Sequence, residues 1–345
     1  PRQPESEIKA EHKNLARSIQ LLTEEILLEK VSYLRERSGL ENLALAGGVG
    51  LNAVANRRIR REGGYTNIFI QPAAGDSGAC LGAAALAHVE LVGKRHSTEA
   101  LSSLYLGPGY SSLEISHTLE AAAVQAIDYS QYEDELIQAV IDRLMDDKII
   151  GWFQGRMEFG PRALGARSIL ANPMNPEMRE RINRTIKKRE TFRPFAPVIL
   201  FSHLADHFDI SHHTPFMIET CQVTSVLDLP AVTHVDGSAR PQTLVRDEHP
   251  RFGKLLEEFH RRTGCPILVN TSFNQRGEPI VCTPLDALMC MASSDLDVLV
   301  IGDYIVDREQ LPENWGMLLE SRGTARDRSG SESTNPIQEN LYSFT

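Results

Sequence analysis

Two short apolar strings in this chain each run into a glycine turn and then a helical pattern, and few folds accommodate that unit twice in succession. Asn42-Leu-Ala-Leu-Ala46 leads into Gly47-Gly48-Val49-Gly50-Leu51-Asn52 and a helix over about 53–62. Asn67-Ile-Phe-Ile-Gln-Pro72 leads into Ala73-Ala74-Gly75-Asp76-Ser77-Gly78 and a small-residue helix reaching about residue 93. Repeated strand, turn and helix predict an α/β layer with buried strands. Upstream, Leu15, Ile19, Leu22, Ile26, Val31 and Leu34 recur at near-helical spacing, which predicts one amphipathic helix over 14–38 ended by Gly39. Gly78, Gly82 and Ala83 imply close packing of the second helix.

Residues 94–112 are polar and close on Leu106-Gly-Pro-Gly109, a seam between domains. Beyond it we expect helices near 112–125 and 133–147, a strand at 148–153, a motif-rich loop over 154–173 and a basic helix over 175–189. Strands are expected near 196–201, 219–227, 241–246 and 265–269, with a helix at 251–262. A helix near 284–293 and a strand near 297–303 finish the pattern. The Ser/Arg/Glu/Gly-rich stretch 321–345 reads as a disordered tail. A length of 345 residues suits two domains at roughly 100–200 residues each.

Charge excludes some functions. The formal balance of −10 argues against general attachment to DNA, RNA or anionic lipid. No apolar run reaches the roughly 18 residues of a membrane span, and no signal peptide opens the chain. Five cysteines without a CxxC pair fit neither a disulfide framework nor a zinc ribbon, so we expect a cytoplasmic protein. The polar start at Pro1 reads as an entry into the middle of a longer protein, or the second chain of a split one.

Four stretches carry candidate chemistry. Glycines 47, 48 and 50 let backbone N–H groups approach an anion, or simply make a tight turn; Asn52 holds a ribose or phosphate, or caps the helix. Asp76 stands where a strand gives way to a helix, where a carboxylate can ligate a hard cation or act as a cap. The third stretch, Gly155-Arg156-Met-Glu158-Phe-Gly160-Pro161-Arg162-Ala-Leu-Gly165-Ala-Arg167, belongs to a window, 151–200, with ten Lys/Arg against four acids inside an acidic chain. Arginines in a Gly/Pro-rich loop after a strand suit phosphate recognition, because the guanidinium fork binds it in bidentate fashion. The fourth, Asn270-Thr-Ser272-Phe-Asn274-Gln-Arg276-Gly-Glu278, is a polar loop at a strand end, where α/β folds bind ligands. The loop His234-Val-Asp-Gly-Ser-Ala-Arg240-Pro-Gln242 mixes similar groups. His203 and His207 are spaced i, i+4, but position 204 is not Glu, so the zincin pattern is absent and surface histidines are the plainer account.

Taken together these strings resemble the NodU/CmcH family of O-carbamoyltransferases. The likeness runs from about Lys13 to Asp307 and rests on LALAGGVGLNAVANRRI (43–59), PAAGDSGACLGAA (72–84), GWFQGRMEFGPRALGARSILANP (151–173), KKRETFRPFAPVIL (187–200), THVDGSARPQT (233–243) and NTSFNQRGEPIV (270–281). It implies an α/β protein in two parts. Residues 1–105 would be the second lobe of an actin/sugar-kinase-type ATPase fold that performs carbamoyl transfer. Residues 106–320 would be a YrdC-like twisted mixed-sheet domain that makes carbamoyl-adenylate from carbamoyl phosphate and ATP. The first lobe of the transfer domain, with its two metal-binding histidines, has no counterpart in the sequence, so transfer is expected to need an upstream segment or chain. Asp76 matches the family's metal ligand, for iron or magnesium, and Gly47, Gly48 and Asn52 match its nucleotide loop.

Mechanism follows from charge: two polyanionic reagents must be neutralised before phosphorus is attacked. We assign Arg156, Arg162, Arg167, Lys187, Arg193 and Arg240 to that task, and Asn270, Ser272 and Asn274 to the carbamoyl amide and nucleotide. The partner is a small-molecule hydroxyl acceptor, without DNA or membrane. Two other readings stay open: an RNA-binding module using the basic helix over 175–189, and an inactive regulatory partner of a complete transferase.

Overall fold

A computed structural model describes residues 6–94, 101, 103–312 and 315. The expected tail, 321–345, lies outside the described residues, as do residues 95–100 of the polar seam. The chain forms two compact units, one of residues 1–102 with 216–222, the other of 103–215 with 223–345. The return of 216–222 to the first unit is invisible in the sequence pattern.

The first unit begins with α1 (Ala10–Ser38), which stops where Gly39 takes φ 68° and donates its N–H to the Arg35 carbonyl at 2.9 Å. Strands β1 (Asn42–Leu45) and β2 (Asn67–Ile70) pair in parallel, joined through α2 (Ala53–Glu62), and α3 (Asp76–Val92) follows. Their core is small: Val31, Leu43 and Ile59, flanked by Leu27, Leu28, Leu45, Tyr65 and Ile68. Two expectations fail here. β1 and β2 are not buried strands, since a two-stranded sheet with one covered face leaves most of their residues exposed or half-exposed. Helix α3 buries no residue, and a Cβ at Gly82 would meet nothing within 4 Å, so close packing fails there; at Gly78 it holds, since a Cβ would come within 2.1 Å of the Ala73 carbonyl oxygen. On α1 the apolar stripe is real, but only Val31 of it is buried, with Leu15 at 65% and Ile19 at 58% exposure. Segment 216–222 is held to α2. Asn56 donates from Nδ2 to the Gly50 and Ile218 carbonyls at 2.8 and 2.7 Å, Thr220 N–H bonds Ala53 O at 3.2 Å, and Arg60 pairs with Glu219 at 2.7 Å.

In the second unit the chain runs through α4 (Ser112–Ala121), β3 (Ile127–Asp128), α5 (Glu133–Met145), β4 (Ile150–Phe153), β5 (Arg167–Ala171), α6 (Met178–Thr185), β6 (Ala196–Leu200) and α7 (Leu204–His207). After the dipeptide strands β7 (Cys221–Gln222, which counts with the first unit) and β8 (Ser238–Ala239) come β9 (Gln242–Leu244), α8 (Pro250–Thr263), β10 (Ile267–Ser272), α9 (Pro284–Ser293), β11 (Val298–Ile301) and β12 (Tyr304–Asp307). Eight strands form one mixed sheet, ordered β3-β12-β11-β4-β5-β10-β6-β9. The pairs β4–β11 and β6–β9 are parallel and the rest antiparallel.

The central strands β4, β5, β6 and β11 are buried throughout; β4, β6 and β11 read as apolar runs, whereas β5 opens on Arg167-Ser168 and lies within the stretch 154–173 expected as a loop. Alternation along β4 sends Trp152 toward Phe252 of α8, at 6.1 Å between ring centroids, and Gly151 toward Phe273 and Leu296 on the other face. The strand expected over 219–227 contracts to two residues, and the basic helix ends at Thr185 rather than 189. The second difference matters, because it leaves Lys187-Lys188-Arg189 in a loop.

Candidate active site

Loops around β5, β10, β6 and β9 bring several cationic side chains to one region of the second unit. Lys187 reaches across to the end of β10. Its Nζ donates to Ser272 O (2.6 Å) and Oγ (3.2 Å), and to Asn274 O (3.0 Å) and Oδ1 (2.8 Å). Burial, and secondly the charge of Arg189, pull this ammonium down to about 7, against four oxygens that favour its charge. Ser272 Oγ donates to Asn274 Oδ1 at 2.7 Å, and Asn274 Nδ2 donates to Glu278 O at 2.7 Å, so the loop after β10 is fixed.

Arg240 is largely buried. Its guanidinium is pulled down to about 9, first by burial and then by the positive fields of Arg162 and Arg189. Burial likewise lowers Arg162, and no carboxylate field offsets it at either residue. The Nε–H groups of Arg162 and Arg240 are both buried without a hydrogen-bond partner. Arg189 donates from Nε to Asn183 Oδ1 at 2.7 Å and lies over the Phe195 ring at 5.0 Å. Arg193, half-exposed beside it, pairs with Glu190 at 3.0 Å. Arg162, Arg189 and Arg240, each partly buried, with Lys187 beside them, thus form one group of like charges that, among the described carboxylates, only Glu190, next to Arg189, offsets, and like charges brought together are costly unless an anion joins them.

Arg189 was not among the expected site residues. Read as the end of a helix, it looked like surface charge. The readable signal is the Lys-x-Arg spacing in a loop, and the structure adds that Lys188 between them takes φ 44°, a left-handed conformation rare for a side-chain-bearing residue. Arg276 donates to the Lys188 carbonyl at 2.9 Å.

Two expected arginines lie elsewhere. Arg167 is fully buried, over the Phe153 ring at 3.6 Å, with its terminal nitrogens donating to the carbonyls of Gln154, Gly155, Ala166 and Pro108. Arg156 donates to the carbonyls of Gly107 and Leu106 at 2.9 and 2.7 Å and lines a separate cavity of about 370 Å³ with Tyr105, Trp152, His249 and Phe252. Asn270 is buried; its Nδ2 donates to Gln242 Oε1 (2.7 Å) and Ala163 O (3.4 Å), beneath the cationic group.

In the first unit Asn52 caps α2, accepting from Ala55 N–H at 3.1 Å, and exchanges two amide bonds with Gln20 of α1. Gly47 takes φ 95°, and a Cβ on Gly47 or Gly48 would meet nothing within 4 Å, so this turn borders open space. Asp76 is exposed at the first turn of α3. Among the described residues no group of three His, Cys, Asp or Glu is placed to hold a metal ion. His203 meets His260 edge-on at 4.6 Å, and His207 bonds Ser225 Oγ through Nδ1 at 2.7 Å.

The second unit is a mixed-sheet α/β unit that gathers several cationic side chains, and comparison with known proteins narrows its class. Residues 141–308 match the carbamoyltransferase C-terminus family model and residues 2–85 the carbamoyltransferase N-terminus model. The nodulation protein NolO of Bradyrhizobium diazoefficiens is 39% identical over 90% of the chain and 58% of its own length. The 3'-hydroxymethylcephem-O-carbamoyltransferase of Amycolatopsis lactamdurans is 34% identical over 78% of the chain and 49% of its own length. An uncharacterised Synechocystis protein, sll1178, is 44% identical over 90% of the chain and 55% of its own length. The chain belongs to the carbamoyltransferase family, and it spans about half the length of the curated relatives it matches.

Proposed function

We propose that the chain makes carbamoyl-adenylate from carbamoyl phosphate and ATP and serves to pass the carbamoyl group to a hydroxyl of a small-molecule acceptor. The observation that supports this is the cationic group of Arg162, Arg189, Arg240 and Lys187, in which the Nε–H of Arg162 and of Arg240 is buried without a hydrogen-bond partner. Two reagents rich in negative oxygens would supply the missing charge and relieve the repulsion. Ser272 and Asn274, held by Lys187, would face the carbamoyl amide and the nucleotide.

The atoms balance in two steps. Water opens the carbamoyl–phosphate bond to give carbamate and inorganic phosphate. A carbamate oxygen then attacks the α-phosphorus of ATP, and pyrophosphate leaves from it. The arginines hold the phosphates in line and stabilise charge on the departing pyrophosphate. Adenylation leaves a carbonyl carbon from which AMP departs readily when a hydroxyl attacks.

Transfer is a separate matter. The first unit supplies an open glycine turn and an exposed carboxylate at Asp76, with no group of three metal-binding side chains among its described residues, so we assign transfer to this unit together with an upstream lobe. The relative named for a hydroxymethylcephem supports a hydroxyl acceptor as the class. An RNA-binding reading draws no support from the basic helix, where Arg181 pairs with Asp297 at 2.7 Å and Arg184 with Glu180. We place the reaction in the cytoplasm on the unpaired cysteine set of the sequence; no described helix is long and apolar enough to cross a membrane.

The test is pyrophosphate release by the purified chain. It should require ATP and carbamoyl phosphate together; no release with both present overturns the reading. Arg162→Ala should lower kcat/KM by about 100-fold, the order of a lost charge-assisted contact, with thermal stability retained.

A further inference from the structure

We propose that Glu158 is a positioning residue that fixes the reach of Arg162 into the cationic cluster, an inference that rests on the anion-binding reading of that cluster. Between Gln154 and Arg167 it is the single acid among three arginines. A solvated surface role would suit such a residue, yet it is only 5% exposed. One of its oxygens, Oε1, accepts three backbone N–H groups, from Leu164 and Ala166 at 2.7 Å and from Arg167 at 3.2 Å.

The same segment is gripped from its carbonyl edge. Gln242 Nε2 and the Tyr105 hydroxyl both donate to Leu164 O, at 2.7 and 2.8 Å, and Asn270 Nδ2 donates to Ala163 O at 3.4 Å. Burial, and then the Glu158 charge, push the Tyr105 hydroxyl well above its ordinary range, which keeps it a donor. Arg162 lies between this clamp and the turn at Gly160, whose φ of 117°, with 111° at Gly165, is accessible to glycine and strained for other residues. Pro161 stiffens the link further. The side chain that needs an exact direction is therefore carried on a short, doubly anchored stretch.

Stability alone does not account for a carboxylate here. Its second oxygen, Oε2, is buried without a hydrogen-bond partner, which makes the charge costly to keep. What a carboxylate gives over an amide is one oxygen strong enough to gather three N–H groups at once. Two roles of Glu158 make opposite predictions. If the residue were simply a counter-charge, removing it would strengthen anion binding. If it positions Arg162, removing it weakens anion binding despite the gain in net positive charge.

The sign is measured with the full 345-residue chain, titrating inorganic pyrophosphate by calorimetry, so that the readout does not depend on adenylation chemistry. Glu158→Gln, which keeps the shape, is expected to weaken pyrophosphate binding by 10-fold or more, and to add nothing further in an Arg162→Ala background. Tyr105→Phe, which removes one bond from the opposite edge, is expected to weaken it 2- to 5-fold with the fold intact. Unchanged or tighter binding by Glu158→Gln overturns the proposal, as does additivity with Arg162→Ala. Should Glu158→Gln not fold, unchanged binding by Tyr105→Phe overturns it. If the unaltered chain itself fails to bind pyrophosphate, the cluster reading falls first, and the two failures are told apart.

Discussion

Arg240 places a guanidinium in a largely buried position beside two other arginines, and such a charge is kept at a cost to the folded state. Arg240→Met should therefore raise Tm while abolishing the rise in Tm that pyrophosphate gives the native chain; differential scanning calorimetry with and without the anion checks both. Lys187 supplies a pH limb. Its ammonium holds Ser272 and Asn274, and it titrates at about 7, so pyrophosphate release should fall as pH rises through that value. Lys187→Arg should remove the limb from the pH–rate profile. At this scale the sequence names the residue types, and the structure brings only some of the named residues together. A Gly/Pro loop dense in arginine announces anion binding, but it does not say which arginine turns inward. Arg167 donates to the carbonyls of Gln154 and Gly155, and Arg156 to those of Gly107 and Leu106. Arg189 was hidden by a helix boundary placed four residues too far.

Elements explain where those side chains can go. Gly165 lies against α8 so closely that a Cβ would come within 2.4 Å of the Phe252 ring, and its φ of 111° is strained for any other residue. Gly165→Ala should cost about 3 kcal/mol or more in urea unfolding, and should loosen the 158–167 loop before it disturbs the remaining sheet. The sheet itself was legible, since β4, β6, β10 and β11 are apolar runs flanked by turn residues. β12 was missed because it follows β11 through a two-residue turn and merges with it in the sequence. The first unit misled for a different reason: its apolar residues promise burial, but a pattern does not say whether the partner surface is at hand. Helices α1 and α3 carry the stripe and the small residues of packed helices, and most of both remains exposed.

The whole molecule has an acid limit. His207, His213, His234, His249 and His260 all have pKa values lowered, in each case chiefly by burial. Each is held neutral in the fold and protonates more readily in the unfolded chain. The stability they confer is complete above their unfolded value of about 6.5 and is lost as pH falls through it toward the lower folded values. Thermal unfolding between pH 7.5 and 5 should show this loss, and His260→Gln should flatten part of it; a Tm independent of pH over that range would contradict the assignment.

The segment 216–222 carries a topological consequence. It leaves one unit, is stitched to the second helix of the other through Asn56, Ala53 and Arg60, and returns. A backbone cut anywhere from residue 94 to residue 103 therefore would not yield two separable pieces. The amino-terminal fragment would still clasp residues 216–222, which pack as part of its own unit, and a truncation drawn at that seam would strip Asn56 and Arg60 of the groups that satisfy them.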